Sequence, residues 1–174
     1  MSTSATSVSS PRRVLVIPHG GRPDLADITA RAIQKLQRAG ITVVMQSFEE
    51  QRYGGLGVEF SEPRGAAAGC ELALIFGGDG TILRSAYLAR GYGVPLLGVN
   101  LGHMGFLAES DPENLPAVIA AVVDRSYSVE RRLALDLLVF YPDGKQASGW
   151  ALNEVSIEKA SRERMIELVV AIDD

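Results

Sequence analysis

The segment Leu72–Arg84 has the sequence LALIFGGDGTILR, and it predicts the centre of the fold. Its first five residues are all apolar, which is typical of a strand buried on both faces of a parallel sheet. Three glycines and an aspartate follow, and apolar residues then recur at helical spacing from about Thr81 to about Arg90. The pattern therefore predicts a strand, a glycine turn and a helix.

The glycine turn at residues 77–81 suits a phosphate group. The N–H groups at a helix start point out of the helix and carry partial positive charge, and glycines allow the backbone to approach a phosphate closely. The carboxylate of Asp79 could hold Mg²⁺ or accept a hydroxyl proton, and both are tasks in phosphoryl transfer. The residues alone leave a second interpretation equally open, in which Asp79 only caps the helix. Neither the P-loop pattern nor GxGxxG is present.

The flanking sequence predicts an open, mainly parallel, Rossmann-like α/β sheet with helices on its faces. Apolar runs alternate with segments of helical periodicity, which is typical of βαβ units. Asp24 is the predicted N-cap of the first helix and Gly40 its end, and Asp111 begins the last helix. The predicted strands are 14–17, 41–45, 72–76 and 94–99, and residues 48–69 are predicted to be a long connection with a short helix near 64–69.

Residues that follow strands are the site candidates, because such sheets bind ligands beyond the carboxyl ends of their strands. After the first strand, Arg22 is a plausible phosphate contact and His19 a weaker one, for which a solvent-facing loop position is favoured. Arg84 lies one turn into the helix after the glycine turn, where it could reach a phosphate or be an ordinary exposed residue. In a second glycine turn, Asn100 could bond a base or a ribose. Phe106 could stack on an adenine, although composition alone favours it as a core residue.

The chain is expected to contain two domains. Residues 1–11 are small and polar and predict a disordered tail. Residues 12–128 form the α/β domain. Residues 129–174 contain consecutive β-like runs at 133–141, 149–159 and 166–172, with a turn at 142–145, and predict the incomplete beginning of a β-rich domain.

Composition narrows the class of protein. Of 174 residues, 47% are hydrophobic and 22% are charged, as in a globular domain, and the net charge of −4 favours neither nucleic acid nor a membrane as a partner. The single cysteine, Cys70, excludes an internal disulfide and suits a reducing cytoplasm. No run approaches the ~20 apolar residues of a membrane span. With no secretory signal predicted, we expect a cytoplasmic protein.

Asn153 and Glu154 form a polar pair within the predicted strand 149–159. Neighbouring side chains in a strand point to opposite faces, so only a bulge or a strand end would let both reach one ligand. An amide donates and accepts hydrogen bonds and a carboxylate accepts them, so the pair suits the two hydroxyls of a ribose. These residues alone favour a polar strand end without a ligand.

Three motifs together resemble those of the NAD kinases. GGDGT at 77–81 is shared with lipid kinases and phosphofructokinases, whereas NLGHMGFL at 100–107 and ALNEV at 151–155 resemble further motifs of the NAD kinases. The resemblance covers most of the chain from Val14 to Asp174. It implies transfer of the γ-phosphoryl group of ATP, or of a phosphoryl group of polyphosphate, to the 2′-hydroxyl of the adenosine ribose of NAD⁺, which gives NADP⁺.

The resemblance also assigns roles to residues. Asp79 would orient or deprotonate the acceptor hydroxyl. Mg²⁺ or another divalent metal, which Asp79 could help to hold, would bridge the phosphates. Positioning and charge neutralisation are most of phosphoryl-transfer catalysis. The residues expected to bind the nucleotides are Gly78, Gly80, Thr81, Arg84, Asn100, Phe106, Asn153 and Glu154.

Two other functions stay open at this point. NAD kinases continue well past Asp174 and assemble as homodimers or homotetramers, so the chain is expected to be an N-terminal portion of such a protein. It could then be a non-catalytic nucleotide-binding fragment. A lipid kinase is the alternative among enzymes, although the acidic balance argues against a membrane-facing surface. The preference for NAD⁺ or NADH is also open.

Overall fold

The computed structural model describes residues 11–21, 25–99, 114–159, 165 and 167–172. The chain divides into two units, residues 1–130 and 131–174. The first contains a parallel sheet with helices, and the second contains an antiparallel hairpin. This confirms the predicted fold class. The assignment of the second unit as the beginning of a nucleotide-binding domain remains a prediction.

Five parallel strands form the sheet of the first unit. They are β1 (Arg13–Ile17), β2 (Thr42–Gln46), β3 (Glu59–Ser61), β4 (Leu72–Phe76) and β5 (Leu96–Val99). Their spatial order is β3-β2-β1-β4-β5, so the direction in which strands are added reverses between β1 and β4. Val14 lies opposite Val43 on one side and Leu72 on the other. The reversal leaves a crevice at the carboxyl ends of β1 and β4.

Four α-helices accompany the described strands: α1 (Ala26–Arg38), α2 (Glu50–Tyr53), α3 (Asp79–Ala89) and α4 (Leu115–Asp124). Alternate strand residues point to opposite faces, and each face has its own core. Ile33 of α1 and Ile119 of α4 pack with Val14 and Leu74 on one face, whereas Ile82 of α3 packs with the residues of the other. None of the helices in the described ranges is long and apolar enough to cross a bilayer.

Two element predictions for the first unit were wrong in detail. Residues 48–69 contain α2 and β3 in addition to turns, and the expected helix near 64–69 is a 3₁₀ turn at Pro63–Gly65. β3 has only three residues and lies at the sheet edge, where half-exposed side chains give no clear periodicity. The helix after the glycine turn begins at Asp79 rather than Thr81. Asp24 and Asp111 lie outside the described residues.

Arg12 connects the amino-terminal edge of the sheet to the end of α4. Its Nε and Nη2 atoms donate to the Glu71 carboxylate, at distances of 2.5–3.1 Å. The same guanidinium donates to the carbonyl oxygens of Val123 (2.6 Å) and Val122 (2.7 Å). Arg125 donates a further bond to Glu71 (2.7 Å). The last carbonyls of a helix lack the usual intrahelical partners, and Val122 is also reached by the N–H of Arg125 at 3.3 Å. By bonding both carbonyls, Arg12 fixes the end of α4 on the sheet.

The second unit contains an antiparallel hairpin of β6 (Leu135–Phe140) and β7 (Gln146–Ala151). Its turn is at the predicted position, and Gly144 adopts a φ of +81°. The second strand begins three residues earlier than predicted and ends at Ala151 rather than Lys159. Residues 165 and 167–172 have no regular secondary structure, so the third strand predicted there is not seen in the described part of the chain.

Candidate active site

The candidate site lies at the carboxyl ends of β1 and β4, where the strand order reverses. Ile17, the last residue of β1, is opposite Ile75 of β4. The turn that contains His19 therefore follows one strand, and the glycine turn at 77–81 follows its direct neighbour. Open α/β sheets bind ligands at this position. The fold thus brings together two turns that the sequence predicted separately.

Gly77 anchors the glycine turn to the sheet. Its N–H donates to the carbonyl of Val99 at 3.0 Å, which extends the pairing of β4 with β5 into the turn. Gly77 is buried, and its Cα packs against the side chain of Thr81. The sequence predicts no separate role for this glycine, because a pattern does not show which glycine of a turn packs inward.

Gly78 and Gly80 differ from Gly77 in their surroundings. A β-carbon added to either would meet no heavy atom within 4 Å among the residues that the structure places. Internal packing therefore does not require glycine at these two positions. Open space above a backbone is what a phosphate group needs for close approach.

The first turn of α3 leaves some amides free of intrahelical bonds. Gly78 is the N-cap, and its carbonyl accepts from the N–H of Thr81 (2.9 Å) and of Ile82 (3.2 Å). The first N–H groups of an α-helix lack intrahelical acceptors, so that of exposed Gly80 points past the helix end, where an anion is favoured. The Thr81 amide already donates to Gly78, and the Thr81 side chain packs on Gly77.

Asp79 occupies the first position of α3 and is half-buried. Its carboxylate therefore lies at the positive end of the helix dipole, beside the open turn. The described residues contain no group of three or more His, Cys, Asp or Glu side chains that could hold a metal. Mg²⁺ usually takes one or two carboxylates together with phosphate oxygens, so Asp79 and a bound nucleotide fit such an ion. Arg84 is exposed one turn further along α3.

His19 is half-buried rather than fully solvent-facing. Its Nδ1 accepts the N–H of Gly21 at 3.0 Å. This bond requires an unprotonated Nδ1, so a neutral ring carries its proton on Nε2 and can donate from there. Arg22, Asn100 and Phe106 lie outside the described residues, and their predicted roles remain predictions.

Asn153 and Glu154 belong to the second unit and are exposed. They follow the end of β7 rather than lying within a strand, since β7 ends at Ala151. The strict alternation of a strand therefore does not apply to them. Their expected role in holding a ribose stays a prediction.

Comparisons with known proteins agree on one family. Residues 14–127 match the model of the ATP-NAD kinase N-terminal domain. The chain is 45% identical to the NAD kinase of Thermobifida fusca, over 93% of this chain and 53% of that protein. It is also 45% identical to the NAD kinase of Mycolicibacterium paratuberculosis, over 93% of this chain and 57% of the relative. The chain thus spans about half the length of these curated relatives.

A solved structure shares the fold. A crystal structure of yeast NADH kinase complexed with NADH matches with a TM-score of 0.72, over 83% of this chain and 48% of that chain. At 18% identity, this likeness supports the architecture alone. The family assignment rests on the sequence comparisons. These comparisons favour the NAD kinases over the lipid kinases that the sequence left as an alternative. With its glycine turn at the crevice of a parallel sheet and the match over residues 14–127, the chain belongs to the NAD kinase family.

Proposed function

We propose that this chain supplies the phosphoryl-transfer half of an NAD⁺ kinase, which transfers the γ-phosphoryl group of ATP to the 2′-hydroxyl of the adenosine ribose of NAD⁺. The observation that carries the proposal is the turn between β4 and α3. It presents Asp79, an exposed amide and two glycines above which the described residues leave open space, at the crevice where the strand order reverses. Membership of the NAD kinase family supports this choice of reaction.

The turn would act by positioning and by neutralising charge. The amide of Gly80, the backbone of Gly78 and the positive end of α3 would hold phosphate oxygens. Asp79 would orient the acceptor hydroxyl or take its proton as the phosphorus–oxygen bond forms. A divalent metal such as Mg²⁺, held by Asp79 and the phosphates, would supply further positive charge when bound. Arg84 is long enough to join the phosphate contacts from the second turn.

The acceptor nucleotide, NAD⁺, would contact further residues that the resemblance implies. Asn153 and Glu154 would bond the ribose hydroxyls of NAD⁺, with Asn100 and Phe106 near a base. Both side chains are exposed beyond the end of a strand. The Asn153 amide can donate and accept hydrogen bonds and the Glu154 carboxylate can accept them, which suits two neighbouring ribose hydroxyls. We further propose that the whole protein forms homo-oligomers in the cytoplasm, as the resemblance implies.

A direct test compares the 174-residue chain with a version extended to the length of its relatives. NADP⁺ formation is measured from NAD⁺ with ATP or polyphosphate, in the presence of Mg²⁺. Activity in both versions supports the proposal and shows that the extension is dispensable. No activity in either, with the extended version shown to be folded, would refute it.

A non-catalytic nucleotide-binding fragment is the second candidate for the chain by itself. It is favoured by the exposure of large apolar side chains in the second unit, where Leu138, Phe140 and Val169 are at least half-exposed. The same assay separates the two functions, since a fragment would bind nucleotide and become active only when extended.

A further inference from the structure

Two buried polar side chains lie at the carboxyl end of β2, and the proposed function does not use them. Gln46 is the last residue of β2, and Glu49 lies in the 3₁₀ turn that follows. Each is only 7% exposed. The other two buried polar residues of the described chain, Thr29 and Ser85, donate to helix carbonyls four residues earlier. Their burial is thus explained locally, whereas that of Gln46 and Glu49 is not.

Neither Gln46 nor Glu49 has a side-chain hydrogen bond to any residue that the structure places. Yet every side-chain nitrogen or oxygen that is wholly enclosed within the described chain does have a partner. It follows that the polar atoms of both side chains reach solvent, although most of each residue is covered. Both side chains are thus mostly covered, with polar atoms that a ligand from solvent could reach.

The Glu49 carboxylate destabilises the folded state in this position. Burial raises the pKa of its carboxyl group, and the positive charge of exposed Arg52 offsets this only in part. A carboxylate without a bonded partner in a largely covered site destabilises the folded state. A glutamine would fit the same space without the charge, so folding alone does not account for a carboxylate here.

The position of these residues relates them to the glycine turn. β2 is the direct neighbour of β1, which is the direct neighbour of β4. At about 4.8 Å for each strand spacing, the end of β2 lies roughly 10 Å across the sheet from the end of β4, on the same carboxyl edge. A nucleoside triphosphate can span this separation between its ribose and its terminal phosphate.

We propose that Glu49 and Gln46 form the subsite for the ribose of the phosphate donor, a nucleoside triphosphate whose phosphates occupy the glycine turn. The carboxylate of Glu49 would accept from the ribose hydroxyls, and the Gln46 amide can donate and accept. An acidic side chain that bonds ribose hydroxyls is a recurrent solution in doubly wound sheets. The assignment of this subsite rests on the proposed function. It adds the expectation that the site prefers a nucleotide to a bare polyphosphate as the phosphate donor.

The test is a set of binding titrations on the 174-residue chain with Mg²⁺ present. The ligands are ATP, 2′,3′-dideoxy-ATP, which lacks both hydroxyls, and inorganic tripolyphosphate, which lacks the ribose. A hydrogen bond to a charged group is strong enough that wild-type chain should prefer ATP to the dideoxy nucleotide by about tenfold or more. Glu49→Gln should weaken ATP binding by about the same factor and leave the other two ligands unchanged. Glu50→Gln, which changes an exposed neighbour of the same type, should alter none of the three.

The outcomes separate this inference from the proposed function. Equal weakening of ATP and dideoxy-ATP in Glu49→Gln would show a structural effect and overturn the ribose subsite. Equal affinity of wild-type chain for the two nucleotides would overturn it as well. Either result, with tripolyphosphate still bound, would leave the phosphate-binding turn in place. If folded wild-type chain bound none of the three ligands, both proposals would fail together.

Discussion

The side chain of Thr81 occupies the space that a β-carbon on residue 77 would need. A β-carbon built on Gly77 would lie 2.6 Å from Oγ1 and 2.9 Å from Cβ of Thr81. Real carbon atoms do not approach so closely, so the strand end and the first turn of α3 can meet only if residue 77 is glycine. Gly77 is thus required for packing against Thr81, whereas the described residues leave space beside Gly78 and Gly80 for a ligand.

Gly77→Ala should therefore destabilise the protein. Overpacking typically costs about 1–3 kcal/mol, and we expect a loss of that size in the free energy of unfolding, measured by urea denaturation. Gly80→Ala is the matched control, because its β-carbon meets nothing within 4 Å of the described atoms and it lies inside α3. Alanine is favoured over glycine within helices, so this control in the first turn of α3 should lose no stability. A loss of equal size in both variants would contradict the packing relationship.

Asp79→Asn should abolish most of the turnover in a version extended to the length of the relatives. General bases contribute about 10²- to 10⁴-fold, and asparagine cannot accept the proton or bind a metal as strongly. Steady-state NADP⁺ formation measures the loss, and a titration with NAD⁺ should show little change in binding. Unchanged turnover would remove Asp79 from the chemical step.

Replacement of Arg12 by methionine should lower the free energy of unfolding by about 2–3 kcal/mol, since charge-assisted bonds to Glu71 and to two helix carbonyls are lost. Arg125→Met removes a second partner of the same carboxylate, but the Arg125 side chain is 61% exposed. That variant should lose at most about 1 kcal/mol. Chemical denaturation of both variants measures the two losses in the free energy of unfolding. A larger loss in Arg125→Met than in Arg12→Met would refute the role given to Arg12.

Ionised Glu71 should stabilise the first unit, and this contribution should be lost at acid pH. Burial alone would raise the pKa of Glu71, but hydrogen bonds and charge from Arg12 and Arg125 outweigh it, so the pKa lies below its usual value. The folded state therefore favours the ionised form. Its contribution is complete above the unfolded pKa of about 4.3 and is lost as the pH falls through the lower folded value. Stability measured against pH should decline less steeply in that range for Glu71→Gln than for the wild type.

Glu49 should behave in the opposite sense. Its pKa is raised, mainly by burial, so its contribution is complete below the unfolded pKa and declines as the pH rises through the folded value. Glu49→Gln should therefore be more stable than the wild type at pH 7 and equal to it in acid. Thermal denaturation at several pH values measures the difference. A glutamine variant that is less stable at neutral pH would show that the carboxylate supports the fold.

The sequence predicted the sheet interior better than its periphery. The strand at 72–76 was predicted with its observed ends, because a run that is apolar on both faces has one consistent interpretation. The sequence does not predict β3, because one exposed and two half-exposed residues at a sheet edge show no alternation of apolar and polar side chains. Their pairing with β2 makes them a strand. β7 begins at Gln146 since a hairpin can pair polar residues that the hydrophobic pattern does not reveal.

The candidate site shows the same division. The motif at 77–81 indicated the turn and Asp79, but not the separate role of Gly77, which depends on a contact with Thr81 four residues later. The sequence favours a solvent-facing loop position for His19, and it does not show the bond that His19 accepts from Gly21, because that bond depends on the local fold. The sequence does not single out Gln46 and Glu49, because a polar residue after an apolar run resembles any strand end. Only burial distinguishes them, and burial belongs to the folded chain.

The strand order also has a consequence for how the protein is made. β1 and β4 are neighbours in space, yet they are joined by residues 18–71, which include two other strands. On the ribosome, the turn after β1 therefore emerges long before the glycine turn that will face it. Pairings between distant segments form slowly, so the crevice should appear in one late step rather than grow with the chain. Until that step, a nascent chain has no nucleotide site, and a nucleotide can stabilise only the completed sheet.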